Sequence, residues 1–232
     1  MNDRRSLSSP IPAVPLMALL LVSFAGAALT ACRIRWSHDW DYLYLPWNLF
    51  LAWLPLLFAS VAHRHHQRGG WRSWKFFSFA SLWLLFFPNA PYIFTDLIHV
   101  RSRFGGAFWA DLCLVLLFAF TGFLVGFISL YLMQSIVAER LGRAASWLFI
   151  VATAAASGFG IYLGRVLRWN SWDVVVHPIG LCYSIGRLAA HPRANPAFVL
   201  FPALFATFVL LGYLMLYALT HLPVLRSQKI EP

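Results

Sequence analysis

Charge is what this chain has least of. Only 11% of its 232 residues are Asp, Glu, Lys or Arg, against about a quarter in soluble domains. An ordinary water-soluble fold is excluded. Acidic residues are scarcest, eight against eighteen Lys and Arg. Cysteine is also rare. Cys32, Cys113 and Cys182 show no paired spacing, so neither a disulfide framework nor a zinc motif can be read from them. No internal repeat argues for an inverted-repeat transporter, and no metalloenzyme signature is present.

What is abundant is apolar surface. Hydrophobic residues make up 60% of the chain and aromatic residues 17%. A run of roughly 20 apolar residues crosses ~30 Å of hydrocarbon, and six such runs can be drawn, at about 11–31, 43–62, 74–90, 108–137, 144–163 and 197–219. The expected fold is all-α, a polytopic bundle of six transmembrane helices forming one domain over 11–221. Tails at 1–10 and 222–232 flank it. The span at 144–163 is rich in Ala, Gly and Ser, which let backbones approach closely, and is expected at the centre of the bundle. Cys113 reads as a small core residue. Leu29-Thr30-Ala31-Cys32 has the look of a lipoprotein processing box, although an uncleaved first helix is the simpler reading.

The net charge of +10 points to the lipid bilayer rather than to nucleic acid, because the basic residues flank apolar runs. Six spans put both termini on one side. That side holds ten of the eighteen basic residues (Arg4, Arg5, Arg64, Arg68, Arg72, Lys75, Arg140, Arg143, Arg226 and Lys229). The other eight, Arg33, Arg35, Arg101, Arg103, Arg165, Arg168, Arg187 and Arg193, lie opposite. This bias favours cytoplasmic termini. His63, His65 and His66 then read as part of a solvated basic cytoplasmic loop. Tryptophans 36, 40, 47, 71, 74, 109, 169 and 172 fall at span edges, as interfacial belts do.

The least ordinary stretch is LLFFPNAPYIFTDLIHV at 84–100. Pro88 and Pro91 interrupt the third span, since proline removes a backbone donor and clashes with the preceding turn. Such backbone survives at membrane depth only where protein or a watery cavity satisfies it, and the adjacent ionisable residues mark a site by default. If Pro91 opens a new turn, Tyr92, Asp96 and His99 share one face. Beyond the fifth span, Asn170 and Asp173 resemble a capping box. Trp172, Val175, Val176, Ile179 and Tyr183 recur at helical spacing, giving an amphipathic helix at about 171–188, bent by Pro178.

On this topology Asn48, Asn89, Asp96, His99, Asp111, Arg165, Arg168, Asn170, Asp173 and His177 gather on the extracytoplasmic face. Two Asp/His pairs, Asp96 with His99 and Asp173 with His177, would form a four-ligand divalent-metal site if they faced each other. Asp96, His99 and Asp173 are equally candidates for acid–base catalysis, or for helix caps and partners of nearby arginines. Arg165 and Arg168, three apart, suit an anionic group or a salt bridge to Asp96, Asp111 or Asp173. Asn48, Asn89, Tyr92, Arg165, Arg168 and Asn170 are the ligand-binding candidates.

The segments LPWNLFLAWLPLLFA, LWLLFFPNAPYIFTDLIH and GFGIYLGRVLRWNSWD together resemble the bacterial membrane-protein family known as domain of unknown function 1361, from about Leu43 to the last span. The resemblance implies a multi-spanning inner-membrane protein and carries no catalytic or binding roles. Three functions stay open: binding or transport of an anionic or lipid-linked ligand, a membrane-embedded hydrolase or transferase, and a structural subunit.

Overall fold

The computed structural model describes residues 12–70, 72–101, 107–190 and 194–220. The tails with Arg4, Arg5, Arg226 and Lys229, the loop residues Trp71, Arg103 and Arg193, and the side chain of Arg101 lie outside the described residues. Among those described there is no strand, and six helical stretches are long and apolar enough to cross a membrane. The fold is an all-α polytopic bundle.

Helix α1 (Ala13–Ser37) is followed by a 3-10 turn (Trp40–Leu43) and α2 (Tyr44–Gln67). α1 runs six residues beyond its expected end and stops where His38 turns left-handed at φ 56°. Cys32 is therefore inside a helix and exposed. α2 also outruns its expected span and takes the three histidines with it, correcting their reading as a solvated loop. His66 is buried, with Nε2 2.9 Å from Glu139. Pro46 sits in the first turn of α2, where a missing N–H costs nothing.

The third crossing is broken into pieces. α3 (Trp74–Phe86) begins at Ser73, whose hydroxyl accepts from the Phe76 amide. It gives way to α4 (Asn89–Tyr92), a 3-10 turn (Ile93–Asp96) and α5 (Leu97–Arg101). The chain repairs its own break. The Asn89 side-chain amide donates to the carbonyl of Phe86 at 2.9 Å, and the Thr95 hydroxyl donates to Tyr92 at 2.7 Å.

α6 (Phe108–Leu141) follows, then α7 (Arg143–Arg165). At 1.5 Å per residue α6 is about 51 Å long, well beyond the hydrocarbon thickness. It is the most buried of the six crossings, so α6, not the small-residue helix α7, is the centre of the bundle. The small residues of α7 serve a different purpose, with Gly158 lying against the α10 backbone at Pro202. Cys113 on α6 is exposed rather than a core residue.

The broken segment rests on glycines of α6 and α7, Gly122, Gly126 and Gly160. A Cβ on Gly126 of α6 would meet the Cβ of Ala90 at 2.5 Å, and one on Gly160 of α7 would meet Pro88 at 2.6 Å. Irregular backbone is thus buried in protein, as membrane depth demands.

The amphipathic segment is split rather than bent. α8 (Asp173–Val176) ends at His177 and α9 (Pro178–Ala190) begins at Pro178, which has no N–H to continue a helix. Val175, Val176, Ile179 and Tyr183 are exposed and only Leu181 of α9 is buried. That suits a helix lying in the bilayer interface. α10 (Ala197–Thr220) completes the bundle. Its last residues and the first of α1 line one hollow, so both lie at one end. The other end is called the mouth below.

Candidate functional site

The mouth is built around Asp96, which is 1% exposed. Its carboxylate accepts from the Asn48 side chain of α2 at 2.8 Å and from Arg165, the last residue of α7, at 3.2 Å. Arg165 also donates to the carbonyl of Thr95 at 2.7 Å and to Nε2 of His99 at 3.1 Å. Arginine can only donate, so this contact needs His99 Nε2 unprotonated, with any proton on Nδ1. Tyr92 completes the set. Its hydroxyl is 3.5 Å from Arg165 and its ring centre 5.8 Å from the guanidinium carbon. The His99 ring packs on Tyr44, centroids 5.3 Å apart.

Tyr92, Asp96 and His99 thus meet on one guanidinium, and a buried charge is paired and hydrogen-bonded as low-dielectric surroundings require. The network ties α2, the broken segment and α7 together. A second ion pair, this one bidentate, does the same for α1 and α6. Arg33 grips Asp111 at 2.6 and 3.1 Å, with the Tyr42 hydroxyl donating to the same carboxylate at 2.7 Å.

The other candidates sit elsewhere. Asp173 does not face Asp96. Its carboxylate turns back to the backbone N–H of Asn170 at 2.7 Å, the rear half of a capping box, and His177 Nδ1 lies 3.4 Å away. The Asn170 N–H, and secondarily His177, hold the Asp173 carboxyl below its ordinary pKa. Among the described residues no three His, Cys, Asp or Glu side chains converge as a metal would need. The four-ligand centre of Asp96, His99, Asp173 and His177 is therefore not assembled. The reason is physical, because both Asp96 oxygens are taken, one of them by a guanidinium.

Arg165 and Arg168 do not act as a pair either. α7 ends at Arg165, and Arg168 lies outside it in the left-handed region at φ 60°. The turn is closed by the Trp169 N–H on the Leu163 carbonyl at 3.0 Å. The Arg168 side chain is exposed and has no hydrogen-bond or ion-pair partner among the described residues.

Beside the Asp96 network lies a cavity of about 250 Å³. Asn48, Asn89 and Tyr92 line it together with Trp47, Trp169 and Trp172. Asn170 and Ser171 line it as well, and the Asn89 amide donates to the Ser171 hydroxyl at 3.1 Å. Sequence reasoning assigned those three tryptophans to an interfacial belt and missed Ser171 altogether. A signal was present in the repeated Trp-Asn dipeptide, at 47–48 and 169–170, both halves of which face this cavity. Trp36, Trp40, Trp74 and Trp109 are exposed, as belt residues are.

A family model described as "Protein of unknown function (DUF1361)" matches residues 47–212. The chain belongs to the DUF1361 family. No curated protein and no solved structure matches it. The DUF1361 region opens at Trp47, beside Asn48, and holds Asn89, Asp96, His99, Arg165 and the cavity-lining tryptophans. Arg33 and Tyr42 of the second network fall before it.

Proposed function

We propose that this DUF1361 protein sits in a bacterial inner membrane with both termini in the cytoplasm. There it binds the headgroup of an anionic or lipid-linked ligand in the mouth cavity, for recognition or transport. The orientation rests on the excess of basic residues on the terminal side.

The observation that carries the binding reading is the cavity wall. Three indole rings and three Asn side chains converge on about 250 Å³. Aromatic faces with a few convergent polar groups are the usual composition of a small-ligand site. The volume suits a headgroup, and the exposed apolar face of α8 and α9 beside it suits acyl chains. Arg165 is committed to Asp96, so its part is to hold the wall rather than to grip the anion alone. Arg168, one residue from Trp169, supplies positive charge beside the cavity.

Photo-crosslinking tests the reading. A benzoylphenylalanine replaces Trp172, a cavity residue, and in a second variant Trp109, an exposed residue away from the cavity. In native membranes the first is expected to capture an anionic lipid species that the second does not. The same adducts at both positions would mean bulk lipid only and would overturn it.

A further inference from the structure

At the end opposite the mouth, two shallow hollows share a wall. One, of about 480 Å³, lies between the start of α1, α6 and the end of α10, against Leu124, Phe127, Ile128, Leu216 and Leu219. The other, of about 510 Å³, lies between α6, the start of α7 and α10, against Gln134, Ser135, Arg143, Ser146 and Trp147. Tyr131 and Tyr217 line both. Along α6 the order is apolar and then polar. Leu124 to Tyr131 spans about 10 Å, and Tyr131 to Ala138 about another 10 Å, at the helical rise of 1.5 Å per residue. Because α6 is longer than the hydrocarbon is thick, its last turns reach the headgroup layer.

The polar hollow has a one-sided chemistry. Ser135 and Ser146 commit their hydroxyl hydrogens to the carbonyls of Leu132 and Arg143, at 2.7 and 2.8 Å. Gln134 is engaged by the Tyr213 hydroxyl. Arg143, the Tyr131 hydroxyl and the Trp147 indole N–H have no hydrogen-bond partner among the described residues. All three can donate, one is a permanent cation, and no acidic residue among those described lines the hollow. Such a lining fits a phosphate oxygen.

We propose that this double hollow binds one anionic glycerophospholipid of the surrounding bilayer. An acyl chain lies against Leu124, Ile128 and Leu216, and the phosphate sits on Arg143. The site is separate from the mouth cavity and does not depend on its ligand.

Native mass spectrometry of the full chain in an uncharged detergent tests it, with phosphatidylglycerol and phosphatidylcholine of identical acyl chains as probes. Wild type is expected to prefer phosphatidylglycerol by about fivefold: both lipids offer the phosphate, but the choline ammonium adds a like-charge contact with Arg143 that glycerol does not. Arg143→Gln should lower that preference. Leu216→Trp, which fills the apolar hollow, should weaken both lipids. In Trp172→Ala, which impairs the mouth cavity, a preference should remain and Arg143→Gln should then remove it, which separates this site from the mouth reading. Equal affinity for the two lipids in wild type, an unchanged preference in Arg143→Gln, loss of the preference in Trp172→Ala, or no effect of Leu216→Trp would each overturn the proposal.

Discussion

The guanidinium of Arg165 closes on the buried carboxylate of Asp96 at 3.2 Å, across 69 residues of sequence. It fastens the broken helix to the last residue of α7. Removing either partner strands the other in a poor solvent for charge.

Asp96→Leu or Arg165→Met alone is therefore expected to destabilise the protein by about 3–5 kcal/mol, the usual cost of an unpaired buried charge. The double variant should cost less than the sum of the two. Thermal unfolding in detergent, run as a double-mutant cycle, reads the coupling. Additive effects would show that the two side chains do not act as a unit.

Gly126→Ala should cost about 1–3 kcal/mol through overpacking against Ala90, since the added carbon would arrive at 2.5 Å. Gly186→Ala on α9 meets nothing within 4 Å and should be neutral or gain up to about 1 kcal/mol from helix propensity. Unfolding midpoints of the pair check the contrast. A neutral Gly126→Ala would mean that the broken segment can shift on α6 without cost.

Arg168→Gly should stabilise by about 1 kcal/mol, because Arg168 holds a left-handed conformation at φ 60° that is costly with a Cβ. The same change removes a cation beside the cavity, so it should weaken an anionic headgroup while raising the unfolding midpoint. A lowered midpoint would reveal a packing role for the side chain.

The turn at 170–177 should be sensitive to acid. The Asp173 pKa is depressed in the folded protein, first by the Asn170 N–H. Its stabilising contribution is thus fully present above the ordinary carboxylate value of about 4. It is lost as pH falls through the lower folded value. Amide exchange at Asn170 is expected to quicken below about pH 4 in wild type, and to be fast at all pH values in Asp173→Asn. Exchange at Asn170 independent of pH, beyond the intrinsic chemical rate, would contradict this.

Because Arg165 occupies the place a cation would take at Asp96, chelator treatment should leave the unfolding midpoint unchanged. Elemental analysis of the detergent-purified protein should find no stoichiometric divalent metal. Metal at one equivalent that disappears in Asp96→Asn would reinstate a centre there.

The bundle was legible because six long apolar runs have few other uses, and the break was legible because Pro88 and Pro91 cannot continue a helix. The meeting of Tyr92, Asp96 and His99 followed from their spacing. The fate of Arg168 did not, because where α7 ends depends on the turn closing over Leu163, which is a tertiary event. Small residues in α7 were misread as a sign of centrality. Small size reports how near one neighbour comes, not how many neighbours there are. The tryptophans at 47, 169 and 172 look the same in sequence whether they face lipid headgroups or a cavity.

The glycine seat of the broken segment has a consequence for how the protein is made. When residues 88–96 leave the ribosome, Asn48 already exists, but Gly126, Gly160 and Arg165 do not. The kinked stretch then has one side-chain partner for Asp96 and only α2 to rest on. It cannot take its final place in the membrane until α6 and α7 have been synthesised. A nascent chain arrested before residue 165 should therefore hold its third crossing loosely, open to proteases and to the insertion machinery, long after its apolar residues have entered the bilayer.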